Sequence, residues 1–294
     1  MPNLAFGQIE NSNKSADIIS TDSSKSESAF PYFPTLLHNF IYQAGAVTRI
    51  SKKDEPWIGG FLISTCLLIS QDNAIDRQFR QLKSKNDIIG KTSPVVTDFG
   101  GKYGFYIVGL TGITGLATKD HKMIHTTLLA SQALITSGLW SRMLKMAFSR
   151  PRPSFMYDNP NYTMKWNHPF KGFYKENENR SASGFDAFPS GHTATAFSIA
   201  TVFAMEYRNT SFIPVLAYTS AGLIGLSRMT EHTHWASDIL AGGCLGYLCA
   251  KQIVRNDRKN NSDYVFENHK KKPTLSYTIF PTGNSINGLL SLNW

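Results

Sequence analysis

The chain has 294 residues, 41% of them apolar and 12% aromatic, with a mean hydropathy of −0.22 and a formal net charge of +9. That length suits one large domain or two small ones, and the basic balance favours anionic partners such as phosphorylated substrates or acidic lipid surfaces. Nucleic-acid binding is disfavoured, because the sequence shows no zinc-finger spacing, no aromatic–basic RNA-binding signature and no heptad seam.

Near the start, Ala5-Phe6-Gly7 before Gln8 resembles the end of a secretory signal peptide, although no basic or apolar region precedes it. Either the start lies upstream, which would imply export, or the match is chance. Residues 1–30 read as a disordered or processed leader, rich in Ser, Asn, Lys and Asp from residue 9 on. Structure is expected to begin near Pro31, with short helices through Val47. Six stretches without Asp, Glu, Lys or Arg follow, at 57–71, 103–118, 124–141, 193–205, 209–227 and 239–250, and read as helices. Their lengths, 12 to 19 residues, fall short of the roughly 20 apolar residues of a confident membrane span, leaving marginal spans or buried bundle helices. Cys66, Cys244 and Cys249 all lie inside such segments and read as small buried hydrophobes, not as a disulfide framework or a metal site.

Between the third and fourth stretches, residues 150–188 form a long irregular loop holding Pro151, Pro153, Pro160 and Pro169. A basic run from Lys251 to Lys272 follows the last helix, and the closing TLSYTIFPTGNSINGLLSLNW alternates as a hairpin around a Gly-Asn turn. The expected architecture is therefore all-α: a bundle of about six core helices over residues 31–255, with a basic linker and tail, 256–294, that holds a possible small β-hairpin.

Three clusters place charge where the surroundings are apolar. Lys145 ends a helix, and Arg150 and Arg152 project from its exit, with Arg152 seven residues on and near the same face. A basic helix C-terminus complementing the macrodipole would explain this cluster alone. In FPSGHTATA, Ser190 and Gly191 open a helix whose unpaired N–H groups suit an anion, and His192 would face it. Ser190 could equally be an ordinary cap. In SRMTEHTHWASD, His234 and Asp238 stand i, i+4 on one helical face, so the carboxylate could hold one imidazole proton and leave the other nitrogen free. Arg228 closes the preceding helix, and His232 reads as structural or as a rim contact. With helices alternating in direction, all three clusters meet at one pole of the bundle. Three cations, two histidines and a helix N-terminus there suit a tetrahedral oxyanion such as phosphate.

K-x6-R-P at Lys145–Pro153, P-S-G-H at Pro189–His192 and S-R-x5-H-x3-D at Ser227–Asp238 together resemble the three-part signature of the type 2 phosphatidic acid phosphatase and vanadium haloperoxidase superfamily. The resemblance covers about residues 57–255. It implies a helical phosphatase that needs neither metal nor cofactor. His234 would be the nucleophile, Asp238 would orient it, and His192 would protonate the leaving oxygen. Lys145, Arg152 and Arg228, with the Ser190 hydroxyl and Gly191 N–H, would hold the phosphoryl oxygens. The expected substrate is a phosphorylated lipid, phosphatidate or a polyprenyl diphosphate, or a small phosphate ester. A soluble exported acid phosphatase and a vanadate-dependent haloperoxidase are the alternatives. Membrane association is favoured by the apolar helices, the Ala241-Gly242-Gly243 run and the basic tail, which places the site on the exterior or periplasmic face.

Overall fold

The structure is a computed structural model that describes residues 31–160, 182–269, 274–282 and 285–293. The expected leader, 1–30, lies outside the described residues. The helices are α1 (Tyr32–Ala44), α2 (Glu55–Lys85), α3 (Asp87–Gly100), α4 (Lys102–Thr118), α5 (His121–Phe148), α6 (Pro153–Asp158), α7 (Gly191–Glu206), α8 (Phe212–Thr230) and α9 (Ala236–His269). Strands β1 (Thr274–Thr282) and β2 (Ser285–Asn293) pair antiparallel, Thr274 opposite Asn293 and Thr282 opposite Ser285. The class is all-α, with that ribbon appended after the last helix.

Several elements are longer than the apolar runs. The charges from Asp72 to Lys85 do not interrupt α2, which runs 31 residues because good helix formers such as Gln, Arg and Lys continue the turn. Asn86 breaks it in extended backbone, and α3 follows at once, a helix that the charge pattern does not announce. α9 likewise continues through the basic run to His269, past the expected boundary at 255. Among the described residues, the 150–188 segment forms α6 and a 3-10 turn at Ala182–Phe185.

α7 is the central helix, packed against α5, α8 and α9. Small residues allow this: a β-carbon at Gly242 would collide with Ser190 O, and one at Gly246 with Ala194 O. The i, i+4 glycines thus let α9 touch the backbone at the start of α7. Leu129, Ala133, Val202, Ala250 and Ile253 join α5, α7 and α9 in one core, and Ala196, Ala200, Ala221 and Ile224 join α7 to α8.

The interior is unusually polar. Gln132 is fully buried, accepting from Asn39 Nδ2 at 3.1 Å and donating to Tyr32 O at 3.1 Å. The outside is apolar instead: Trp57, Leu62, Ile63 and Leu67 on α2, Phe105, Leu110, Ile113 and Leu116 on α4, and Phe212, Val215, Leu223 and Leu226 on α8 are exposed. Cys66 is exposed on α2 and not buried as expected, whereas Cys249 is buried. α2 and α8 are long and apolar enough to cross a membrane.

Candidate active site

One pole of the bundle gathers the α4–α5 and α7–α8 connections and the far part of α9, where Arg258 pairs with Glu206 at 3.0 Å and His125 with Asp257 at 3.1 Å. At the other pole is a polar cavity of about 230 Å³ lined by Lys145, Arg152, Asp186, Gly191, His192, Arg228 and His234, with Gly138, Ser141 and Arg142 from α5. Six of the eight sequence-predicted residues therefore line one cavity. Ser190 and Asp238 do not; they stand behind it.

Each lining residue is placed by a local chain feature. α5 ends at Phe148, and Ser149 turns the chain out in the left-handed region (φ 41°). Arg152 therefore reaches the cavity from the residue before α6 and not along the face of α5. Pro153 opens α6 at its first position, where a missing N–H costs nothing. Ser190 caps α7: its Oγ accepts from Thr193 N at 3.4 Å and from Thr193 Oγ1 at 2.9 Å. That leaves Gly191 as the first helical residue on the cavity wall, where a β-carbon would lie 3.7 Å from Lys145 Cε. The α3–α4 junction backs the other side of His192, with a β-carbon at Gly101 falling 2.7 Å from His192 Nε2.

His234 is not on a helix with Asp238. It sits in the turn before α9, and its Nδ1 is 3.7 Å from Asp238 Oδ2 but 2.7 Å from Ala187 O. A carbonyl can only accept, so Nδ1 carries the proton and Nε2 keeps a lone pair. The backbone does what the sequence assigned to Asp238. Asp238 instead accepts from Trp235 N at 2.8 Å and from Arg150 Nη1 at 2.6 Å, holding the turn beside His234. Burial, then Lys145, Arg228 and Arg152, hold the His234 imidazole well below its ordinary pKa of 6.5. It is neutral at pH 7.

Two carboxylates were not foreseen. Asp186 takes a two-point grip from Arg152, Nε to Oδ1 at 2.7 Å and Nη2 to Oδ2 at 2.9 Å, and lies 3.8 Å from Lys145 Nζ. Its burial would raise its pKa, but Lys145 and Arg152 outweigh that and the net shift is downward, so it is ionised. Asp72 of α2 accepts from Arg150 Nη2 at 2.7 Å, from Ser237 N at 3.0 Å and from Ser237 Oγ at 2.5 Å. Asp186 was visible in sequence only as a charge five residues before Gly191; Asp72 carried no local signal. His232, in the left-handed region (φ 53°), bonds Asp76 at 3.2 Å and is structural. No group of three or more His, Cys, Asp or Glu that could hold a metal exists among the described residues.

The fold is thus an all-α bundle with a polar, cation-lined cavity and two histidines at one pole. The PAP2 superfamily model matches residues 125–262, a segment containing all three motif clusters. A lipid A 1-phosphatase of Porphyromonas gingivalis is 48% identical over 64 residues, 21% of this chain and 14% of that protein. A lipid A 1-phosphatase of Rhizobium johnstonii is 32% identical over 116 residues, 38% of this chain and 40% of that protein. The chain thus matches less than half the length of these relatives. A crystallised transmembrane PAP2-type phosphatidylglycerolphosphate phosphatase from Bacillus subtilis is similar at a TM-score of 0.49 and 20% identity, covering 71% of this chain and 98% of that one.

Proposed function

We propose that the chain is a membrane-embedded phosphatase that hydrolyses a lipid phosphate monoester or diphosphate through a phosphohistidine. The observation that carries the reading is the His234 tautomer: Nδ1–H is fixed on Ala187 O, so the bare Nε2 belongs to a residue on the wall of a cavity that also holds Lys145, Arg152 and Arg228. In the first step, Nε2 attacks phosphorus while the ester P–O bond breaks. His192 gives its proton to the leaving oxygen. Lys145, Arg152 and Arg228, with Gly191 N–H, take up the charge on the phosphoryl oxygens, which is the principal task of a protein in phosphoryl transfer. In the second step, water loses a proton to His192 and attacks the phosphohistidine. Orthophosphate leaves and the imidazole is regenerated. Asp238 acts through the turn it braces, and Ser190 through the helix start it caps.

The lipid part of the reading rests on the inverted distribution of polarity. Asn39, Gln132 and a set of serines and threonines are buried beside the apolar core, while leucine, isoleucine and phenylalanine face outward on α2, α4 and α8. Exposed apolar surface on that scale marks a membrane or a partner. The relatives named as lipid A 1-phosphatases support an amphiphilic substrate. The basic far part of α9 favours a cytoplasmic position for the opposite pole, which puts the site on the exterior or periplasmic side.

The test is hydrolysis by detergent-solubilised protein of a panel: phosphatidate, a polyprenyl diphosphate, a lipid A preparation and p-nitrophenyl phosphate, with EDTA present. Turnover of a lipid ester that survives EDTA, is abolished in His234→Ala and leaves a ³²P-labelled protein adduct that survives an alkaline denaturing quench but is lost in acid is expected. Normal turnover in His234→Ala sinks the mechanism, and quantitative recovery in the soluble fraction without detergent sinks the membrane assignment.

A further inference from the structure

Hydroxyls on the helices of this bundle generally return their protons to a carbonyl one turn back: Ser131 to Leu128 O, Ser137 to Leu134 O, Ser198 to Thr195 O and Ser227 to Ile224 O. Ser141 of α5 does not. It is 2% exposed, and its Oγ has no partner among the described residues. Leaving a buried hydroxyl unsatisfied is destabilising, so such an atom needs a reason.

Its position supplies one. Ser141 lines the 230 Å³ cavity one helical turn before Lys145, and a β-carbon at Gly191 would lie 3.3 Å from its Oγ. The absent side chain at Gly191 leaves the hydroxyl open to the cavity. Arg228 Nε, also on a lining residue, is a second buried donor without a partner among the described residues. Two unsatisfied donors on one cavity wall, next to Lys145 and Arg152, call for a ligand made mostly of acceptors.

Building on the phosphatase reading above, we propose that Ser141 Oγ donates a hydrogen bond to a non-bridging oxygen of the bound phosphoryl group. It is then a catalytic residue, and the first motif of this chain extends one turn back, to S-x3-K-x6-R-P. The ligand it serves is a tetrahedral oxyanion: the phosphate of the substrate, orthophosphate as product, or vanadate.

The experiment compares wild type, Ser141→Ala and Ser141→Cys as full-length protein in mixed micelles. It measures kcat and KM on short-chain phosphatidate, inhibition by orthovanadate, and thermal unfolding without ligand. In Ser141→Ala, kcat/KM is expected to fall about tenfold to a hundredfold, with vanadate inhibition weakened in parallel. The unfolding temperature should stay level or rise, because the ligand-free protein loses only an unsatisfied group. Ser141→Cys, a weak donor of similar shape, should fall between the two. Unchanged kcat/KM and vanadate inhibition in Ser141→Ala overturns the proposal while leaving the phosphatase reading intact. A lost activity that tracks a lowered unfolding temperature overturns it as well, since that is a packing role. A wild type that neither hydrolyses phosphatidate nor binds vanadate removes the phosphatase reading itself.

Discussion

Arg150 and Arg152 stand two residues apart in one Pro-bracketed segment, yet they belong to different chemistries. Arg150 is 1% exposed and held between two fully buried carboxylates, Asp72 and Asp238. The bonds of that group tie the segment between α5 and α6 to α2 through Asp72 and to α9 through Ser237 and Asp238, and join α2 to α9 directly. Arg152 is 22% exposed on the cavity wall, and its bidentate partner Asp186 is 23% exposed. The first guanidinium is a rivet. The second lines the proposed phosphate site with a carboxylate resting in it. What separates them is whether the partner can leave: Asp72 sits on a packed helix under three donors, whereas Asp186 sits on a short turn beside an open cavity.

The largest effect is expected from breaking the rivet. Arg150→Met leaves two buried carboxylates facing each other without a cation. Removing one member of a buried ionic group commonly costs about 3–5 kcal/mol. Thermal unfolding in detergent should show that loss, and activity should disappear along with the fold. A variant that stays as stable as wild type would mean the two arginines are equivalent after all.

Arg152→Ala should separate from it cleanly. The partly exposed pair with Asp186 contributes little to stability, so the unfolding temperature should hold. Deleting one oxyanion-stabilising group is expected to lower kcat/KM about a hundredfold or more, about 3 kcal/mol of transition-state stabilisation. The signature is intact unfolding with lost turnover, the inverse of a purely structural lesion.

The sequence could not make this distinction, and the reason is physical. Both arginines follow the end of an apolar helix, and both look like its basic exit. Their partners come from α2 and from the turn before α7, roughly 80 and 30 residues away, positions that only folding brings together. The motif residues themselves were legible, because a cation, a histidine or a Ser-Gly turn inside an apolar stretch is a local anomaly. Ser141 and Asp72 were not: a serine on an apolar helix, or an aspartate in a charged one, becomes unusual only when its hydrogen bonds can be counted. α3 and the extensions of α2 and α9 were hidden for a similar reason, since reading helices from charge-free runs discards any turn that is charged on its outer face. The Asp238–His234 pairing was half legible: the two are close, but Ala187 O, a backbone atom with no sequence signature, takes the imidazole proton.

The charge around His234 gives a third prediction, in pH. Burial and the neighbouring cations keep the imidazole neutral far below pH 6.5, so kcat/KM, which reports the free enzyme, should lose nothing to protonation of His234 as pH falls from 7 to 6, while protonation of His192, the proposed acid, can only raise it. Removing a cation favours the imidazolium and raises the pKa. The residual activity of Arg152→Ala should therefore begin to fall at higher pH than that of wild type. The same shift in Arg150→Lys, whose charge is retained, is not expected. An acid limb that stays put or moves downward in Arg152→Ala would mean that the Arg152 charge does not set the titration of His234.

The smallest effect, and the finest test of the comparison, is Asp186→Asn. The backbone around Asp186 is fixed by Arg152 N to Gly184 O at 2.9 Å, by Ala187 N to Arg150 O at 3.1 Å and by His234 Nδ1 to Ala187 O at 2.7 Å. Only the side chain needs to turn for a phosphoryl group to take its place on Arg152 and Lys145. If Asp186 is a resident anion that the ligand displaces, removing its charge lowers the cost of that exchange. Orthophosphate should then inhibit Asp186→Asn more strongly than wild type, by about fivefold for an ion pair worth ~1 kcal/mol at this exposure. The unfolding temperature should change little, because the three backbone bonds remain. Weaker phosphate inhibition in the variant would give the opposite answer: Asp186 stays in place and aims Arg152 at the ligand, making the second arginine more like the first.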